Sequence, residues 1–248
     1  KKDGTRVNVA IGENENDPVL VITDLLIHLA GEQMEKNAAK VVEGEKLDLL
    51  IGNKPIAGEE KEAVKANVLA LLKKTYEIEE EDFLSAELEI VPAGKARECG
   101  LDSSMIMAYG QDDRVCAFTS LFALLNVKDV KRTSCCLLVD KEEIGSTGAS
   151  GMNSNLFENI VAELVALTSD YSELKVRRAL ANSKMLSSDV SAAFDPMFPE
   201  VFEKRNTAFF SKGIVFNKYT GSRGKNGSND ANPEYIAELR KVMDDNNV

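Results

Sequence analysis

Three separate apolar segments of the chain end in carboxylate: Tyr109-Gly110-Gln111-Asp112-Asp113, Val139-Asp140-Lys141-Glu142-Glu143, and Met185-Leu186-Ser187-Ser188-Asp189. In an open α/β sheet the ends of strands converge on one edge, where the ligand crevice lies. Adjacent carboxylates at such an edge repel each other and lose hydration, so they persist only when protonated, paired or neutralised by a cation. Hard or borderline divalent ions accept several carboxylates, and zinc commonly takes a mixture of His and carboxylate. A co-catalytic pair of ions needs one bridging carboxylate. Asp113, deepest in the set and followed directly by a helix, suits that bridge. Of Glu142 and Glu143, one can ligate while its neighbour takes a proton from the activated water. Each carboxylate also has an ordinary reading: Asp112 pairing with Arg114, Glu142 with Lys141, Asp189 capping a turn. Taken together at three strand ends, they favour a site.

The elements that must position these residues follow from periodicity. Residues 135–139 form a continuous apolar run that reads as a buried strand, the Gly and Ser cluster at 145–151 as a turn, and 153–168 as a helix. The 145–151 segment lacks the Gly-Lys-Ser/Thr ending of a phosphate cradle, and it reads as a loop letting the backbone pass close to substrate. Residues 115–127 and 176–182 are helical in pattern, 214–219 a strand, and 222–229 a loop. Asn232-Pro233-Glu234 starts a last helix, with Asn as cap and Pro in the first position. Upstream, 6–11, 46–51 and 86–91 read as strands, and 19–42 and 59–76 as helices. The acidic run Glu79-Glu80-Glu81-Asp82 reads as a solvated helix end. A domain boundary is expected after Val91-Pro92, giving domains 1–92 and 93–248.

Composition narrows the function classes. A net charge of −11 repels phosphate backbones and anionic membranes, so nucleic acid and membrane are poor partners. No apolar run reaches the length of a membrane span, which makes the cytoplasm the expected location. Cys99, Cys116, Cys135 and Cys136 show no Cys-x-x-Cys spacing and read as reduced core residues. His28, the only histidine, lies among Leu25, Leu26 and Leu29 and by itself reads as a core or interface residue.

Three strings carry a resemblance: Tyr109-Gly110-Gln111-Asp112-Asp113-Arg114, Val139-Asp140-Lys141-Glu142-Glu143-Ile144-Gly145-Ser146, and Leu186-Ser187-Ser188-Asp189-Val190-Ser191-Ala192-Ala193-Phe194-Asp195-Pro196. They resemble the aspartyl aminopeptidase and aminopeptidase I family of dinuclear zinc peptidases, in its bacterial branch. Residues 19–29 resemble that family's inserted dimerisation domain. The resemblance implies an α/β fold, with part of a zinc-peptidase domain (a mixed sheet covered by helices) and an inserted α+β dimerisation domain. It implies two Zn2+ per subunit, with Co2+ or Mn2+ as alternatives. Asp113 would bridge them, Asp189 complete one and Glu143 the other, and Glu142 would act as general base. His28 would hold the substrate carbonyl of a neighbouring subunit, and Lys212-Gly213 would bind substrate. The implied substrates are short peptides, and the implied partner is the chain itself, as dimers building a dodecamer.

The family also places a His-x-Asp motif before the dimerisation domain and a further His ligand near the C-terminus, and this chain contains neither. Ser191-Ala192-Ala193-Phe194-Asp195-Pro196 stands where some members have Ala-His-Ala-x-His-Pro. The expectation is therefore the middle of a longer metalloaminopeptidase, inactive alone because each zinc lacks its nitrogen ligand. The rival expectations are an inactive assembly or cation-binding module, and another co-catalytic zinc hydrolase such as an amidase or carboxypeptidase.

Overall fold

Short β-branched runs broken by Gly and Asp favour brief strands and turns, whereas the long Ala- and Leu-rich stretches favour helices. The structure, a computed structural model, follows that division and is α/β; it describes residues 1–222 and 226–248. The chain divides into two units, Lys1–Tyr109 and Gly110–Val248.

In the first unit β1 (Val21–Ile22) is followed by the short helix α1 (Gly31–Met34), and β2 (Leu49–Leu50) pairs antiparallel with β1 in the register Val21 to Leu50. The single helix expected over 19–42 is therefore not formed. The Asp24 carboxylate accepts the Leu25 N–H at 2.7 Å and the Gln33 amide at 3.1 Å, a local closure that competes with helical hydrogen bonding. The preceding Val-Leu-Val-Ile run goes to strand instead. Helix α2 (Ala63–Tyr76) forms within the expected segment and ends at left-handed Glu77, whose N–H bonds the Lys73 carbonyl at 3.0 Å. Val64, Val68, Leu69 and Leu72 of this helix line a cavity of about 450 Å³ with Ile51 and Phe83. The unit closes with a hairpin of β3 (Arg97–Cys99) and β4 (Met105–Met107), in which Cys99 pairs with Met105. The hairpin turns at Gly100, where an added Cβ would stand 2.9 Å from Asp102 Oδ1. This self-paired hairpin lies within the first unit. Residues 6–11 and 86–91 run without a strand partner among the described residues.

The second unit begins with α3 (Gln111–Asn126), followed by α4 (Leu156–Thr168) and α5 (Glu173–Ala181), the last capped by the Ser172 hydroxyl, which accepts the Lys175 N–H at 3.3 Å. Helices α4 and α5 pack on each other, and Val176 of α5 is buried. Residues 135–139 are not the buried strand their composition suggests. No strand among the described residues pairs with them, and Leu138 and Val139 are 61% and 42% exposed. Strand β5 (Tyr219–Ser222) starts at the end of the segment expected to form it, and β6 (Asn226–Asp230) pairs with it antiparallel. The loop expected over 222–229 is therefore strand over most of its length, and positions 223–225 lie outside the described residues. Helix α6 (Pro233–Asn246) starts as its cap residues require, the Asn232 side chain accepting the Tyr235 N–H at 2.9 Å. It is tied to the segment after α5, where Lys184 forms an ion pair with Glu238 and lies 5.6 Å from the Tyr235 ring centroid. No described helix is long and apolar enough to cross a membrane.

Candidate metal centre

Gly110 sets the first piece of the site. It lies at φ +75, and an added Cβ would stand 3.0 Å from the Arg114 guanidinium carbon, so glycine both makes the turn and leaves room for that side chain. Asp112 and Asp113 then occupy the first turn of α3 with non-helical dihedrals, joined by a cis peptide bond, before the regular helix starts. The second piece is Asp189, on an extended stretch held at both ends. Upstream, Lys184 pairs with Glu238. Downstream, the Phe194 N–H bonds the Ala208 carbonyl at 2.8 Å, and the Phe194 ring packs near Phe202 and Phe209.

These two pieces meet. Asp112, Asp113 and Asp189 each offer an oxygen, and the three oxygens lie within 4.8 Å of one another. Asp113 Oδ1 is shielded from solvent and accepts no hydrogen bond among the described residues. A shielded carboxylate oxygen without a donor, beside two further carboxylates, is costly unless a cation completes it. The donor set therefore fits a divalent metal ion.

The third piece is the Glu142 loop. Loss of hydration, then the charges of Glu143, Asp189, Asp112 and Asp113, push the Glu142 carboxyl above its ordinary value. Glu142 thus lies in the field of the whole acidic group. Both glutamates stand outside the triplet of close oxygens, and Asp112, which sequence reasoning left as a pairing candidate for Arg114, stands within it. Cys116, one turn along α3 from Asp113, is a further neighbour. Burial pushes its thiol up, and its hydrogen bond to Asp113 adds to this, while one with Ser188 opposes it. The i to i+3 spacing from Asp113 was the available signal for Cys116.

His28 is exposed on a single 3-10 turn, Ile27–Leu29, in the first unit, whereas the carboxylates belong to the second. Lys212 and Gly213 form an exposed turn with Ser211 and Gly213 at positive φ, and no hydrogen bond or ion pair joins Lys212 to the carboxylates among the described residues.

The model of one protein family, described as aminopeptidase I zinc metalloprotease (M18), matches residues 1–248. The chain is 63% identical to a probable M18 family aminopeptidase 1 of Clostridium acetobutylicum, over 100% of this chain and 54% of that protein. Among solved structures, aminopeptidase I from the same organism superposes with a TM-score of 0.86 at 62% identity, covering 98% of this chain and 52% of the other. An M18 aminopeptidase from Thermotoga maritima superposes with a TM-score of 0.88 at 40% identity, covering 100% and 55%. The chain spans about half the length of the curated relatives it matches.

Proposed function

Because the chain belongs to the M18 family of aminopeptidase I zinc metalloproteases, we propose that it carries the carboxylate half of a two-zinc aminopeptidase site acting on short peptides. The observation that carries this reading is the convergence of Asp112 and Asp113 from the start of α3 with Asp189 from a distant segment. Asp113, Glu143 and Asp189 would hold the ions, Asp113 between them. The geometry adds Asp112, its neighbour in the triplet, to the ligand candidates. Zinc, when bound, supplies Lewis acidity and brings the pKa of water at the site towards neutrality. Glu142 would serve as the general base, taking a proton from water and returning it to the departing amine.

Residues 1–92 would serve in this reading as the dimerisation domain, with His28 reaching the substrate carbonyl in a neighbouring copy and dimers building a dodecamer. Lys212-Gly213 would bind substrate. Cobalt or manganese would substitute for zinc. Four free cysteines accord with a cytoplasmic setting.

The test uses the full-length zinc-loaded protein with aminoacyl chromogenic substrates. Glu142→Gln is expected to keep its zinc and lose turnover by about 10²- to 10⁴-fold. Unchanged turnover would remove Glu142 from the role of base. Equal cleavage of N-terminally blocked peptides would move the assignment to an amidase or carboxypeptidase. Zinc binding without hydrolysis of any peptide would leave a cation-binding assembly module.

A further inference from the structure

The loop bearing Glu142 is bent against its own preferences. Lys141 and Ser146 both lie at positive φ, +61 and +57, which L side chains rarely adopt, and Gly145 between them lies at +95. Within the bend the Glu142 carbonyl accepts the N–H groups of Gly145 at 2.8 Å and Ser146 at 3.2 Å, and the Lys141 carbonyl accepts Ser146 N–H at 2.9 Å. A turn with two left-handed side-chain positions relaxes unless something outside it fixes the ends.

We infer that Asn153 and Gly151, which precede α4, are positioning residues that hold the Glu142 turn in place. This inference rests on the reading of Glu142 as base. Asn153 holds the turn at two points: its side-chain amide donates to the Gly145 carbonyl at 2.9 Å and its backbone N–H to the Ser146 carbonyl at 3.3 Å. Those carbonyls belong to the two residues whose N–H groups close the turn on Glu142, so the clamp acts one peptide away from the base's own backbone.

Gly151 supplies the close approach. It is buried, and an added Cβ would collide with the Ser146 carbonyl oxygen and stand 2.8 Å from its carbon and 3.3 Å from the Asp140 oxygen. All three obstacles are backbone, so no side chain can swing aside. The clamp is in turn anchored to α4. The Ser154 hydroxyl donates to the Gly151 carbonyl at 2.6 Å, and its oxygen accepts the N–H of Leu156, the first residue of the helix, at 3.2 Å. A rigid helix thus sets the place of a carboxylate that it does not itself carry. Neither Asn153 nor Gly151 belongs to the triplet of close oxygens, so removing the clamp should displace Glu142, and Glu143 on the same turn, while sparing the Asp112, Asp113 and Asp189 group.

The experiment compares Asn153→Ala, Gly151→Ala, Glu142→Gln and the double variant Glu142→Gln/Asn153→Ala in the full-length zinc-loaded protein. Asn153→Ala should lower kcat about 10-fold or more with KM unchanged and the zinc held by Asp113 and Asp189 retained, since a displacement near 1 Å can cost on the order of 10²-fold. Amide hydrogen exchange across residues 141–148 should rise at least tenfold while α4 keeps its protection. Gly151→Ala should do the same more strongly. If it does not fold, Asn153→Ala still decides the matter. In the Glu142→Gln background, Asn153→Ala should add no further loss of kcat. If Glu142→Gln is inactive but Asn153→Ala shows wild-type kcat and wild-type exchange, the clamp is overturned and the base stands. If Glu142→Gln is fully active while Asn153→Ala still raises exchange, the base reading fails and the clamp on the loop stands as geometry alone.

Discussion

Glu79, Glu80, Glu81 and Asp82 in the first unit and Asp112, Asp113, Glu142 and Asp189 in the second are two groups of four carboxylates, yet they are held by opposite means. In the first group every carboxylate finds a donor. Lys73 meets Glu79 at 2.8 Å, Lys65 meets Glu80 at 2.6 Å, and Lys2 meets Glu81 at 2.6 Å. Asp82 accepts the N–H groups of Glu79 at 2.9 Å and Lys2 at 3.1 Å, and these backbone bonds hold its carboxyl below the ordinary range. In the second group the carboxylates face one another, and Glu142 is displaced upward. Four acidic residues in a row are therefore a weaker sign of a cation site than four gathered from three distant places. The run in sequence has lysines within reach, whereas the gathered set places its oxygens against each other.

The largest effect should come from removing a member of the gathered set. Asp113→Asn or Asp189→Asn in the full-length protein should lower zinc from about two ions per subunit to one or none, read by elemental analysis. Glu80→Gln should leave the zinc count untouched, and a drop there would erase the distinction between the groups. Comparing Asp112→Asn with Asp113→Asn sharpens it further, because only loss of the bridge should empty both positions.

Chelation gives the next effect. At free zinc near 100 times its Kd, bound ion should add about 2.7 kcal/mol to folding stability in urea unfolding. Asp113→Asn should lose that gain yet raise the stability of the metal-free protein, since it removes one of the mutually repelling charges.

The two groups should also respond to pH with opposite sign. The folded Asp82 carboxyl lies below its unfolded value, so its contribution is present above the ordinary carboxylate range and is lost as pH falls through the folded value. The folded Glu142 carboxyl lies above its unfolded value, so in metal-free protein its contribution is present at lower pH and is lost as pH rises through that raised value. Urea midpoints measured against pH should show a flatter acid limb in Asp82→Asn and a flatter fall on the other side in Glu142→Gln. Identical profiles in the two variants would contradict these assignments. The smallest effect belongs to Glu81→Gln: with an exposed ion pair to Lys2, it should move neither zinc content nor the urea midpoint beyond experimental scatter.

What the sequence made legible was whatever depends on nearby residues. The cap at Asn232-Pro233, the body of α2 and the helix α4 all follow from local pattern. Strands are a different matter, because a strand exists only with a neighbour. Residues 6–11, 86–91 and 135–139 have strand composition and no ladder, and β6 formed in a Gly-, Ser- and Asn-rich stretch because β5 lay beside it. The helix expected over 19–42 failed through Asp24, whose side chain closes a local turn that periodicity does not register. Asp112 was visible as a carboxylate but not as a member of the triplet, since its place depends on backbone dihedrals at the start of α3 that no spacing rule encodes. The clamp at Asn153 and Gly151 was hidden for a similar reason. A Gly-rich segment announces a turn without saying which carbonyl it will press against.

The ion pair between Lys184 and Glu238 carries a practical consequence. The stretch leading to Asp189 meets α6 through this pair and through the Tyr235 ring, so α6 bears on the approach to Asp189. A fusion that unravels its first turns would free Lys184, loosen the approach to Asp189, and present as poor metal loading in a protein whose acidic residues are all intact. Purification handles are better placed away from that helix, and metal content, rather than solubility, is the quality by which such preparations should be judged.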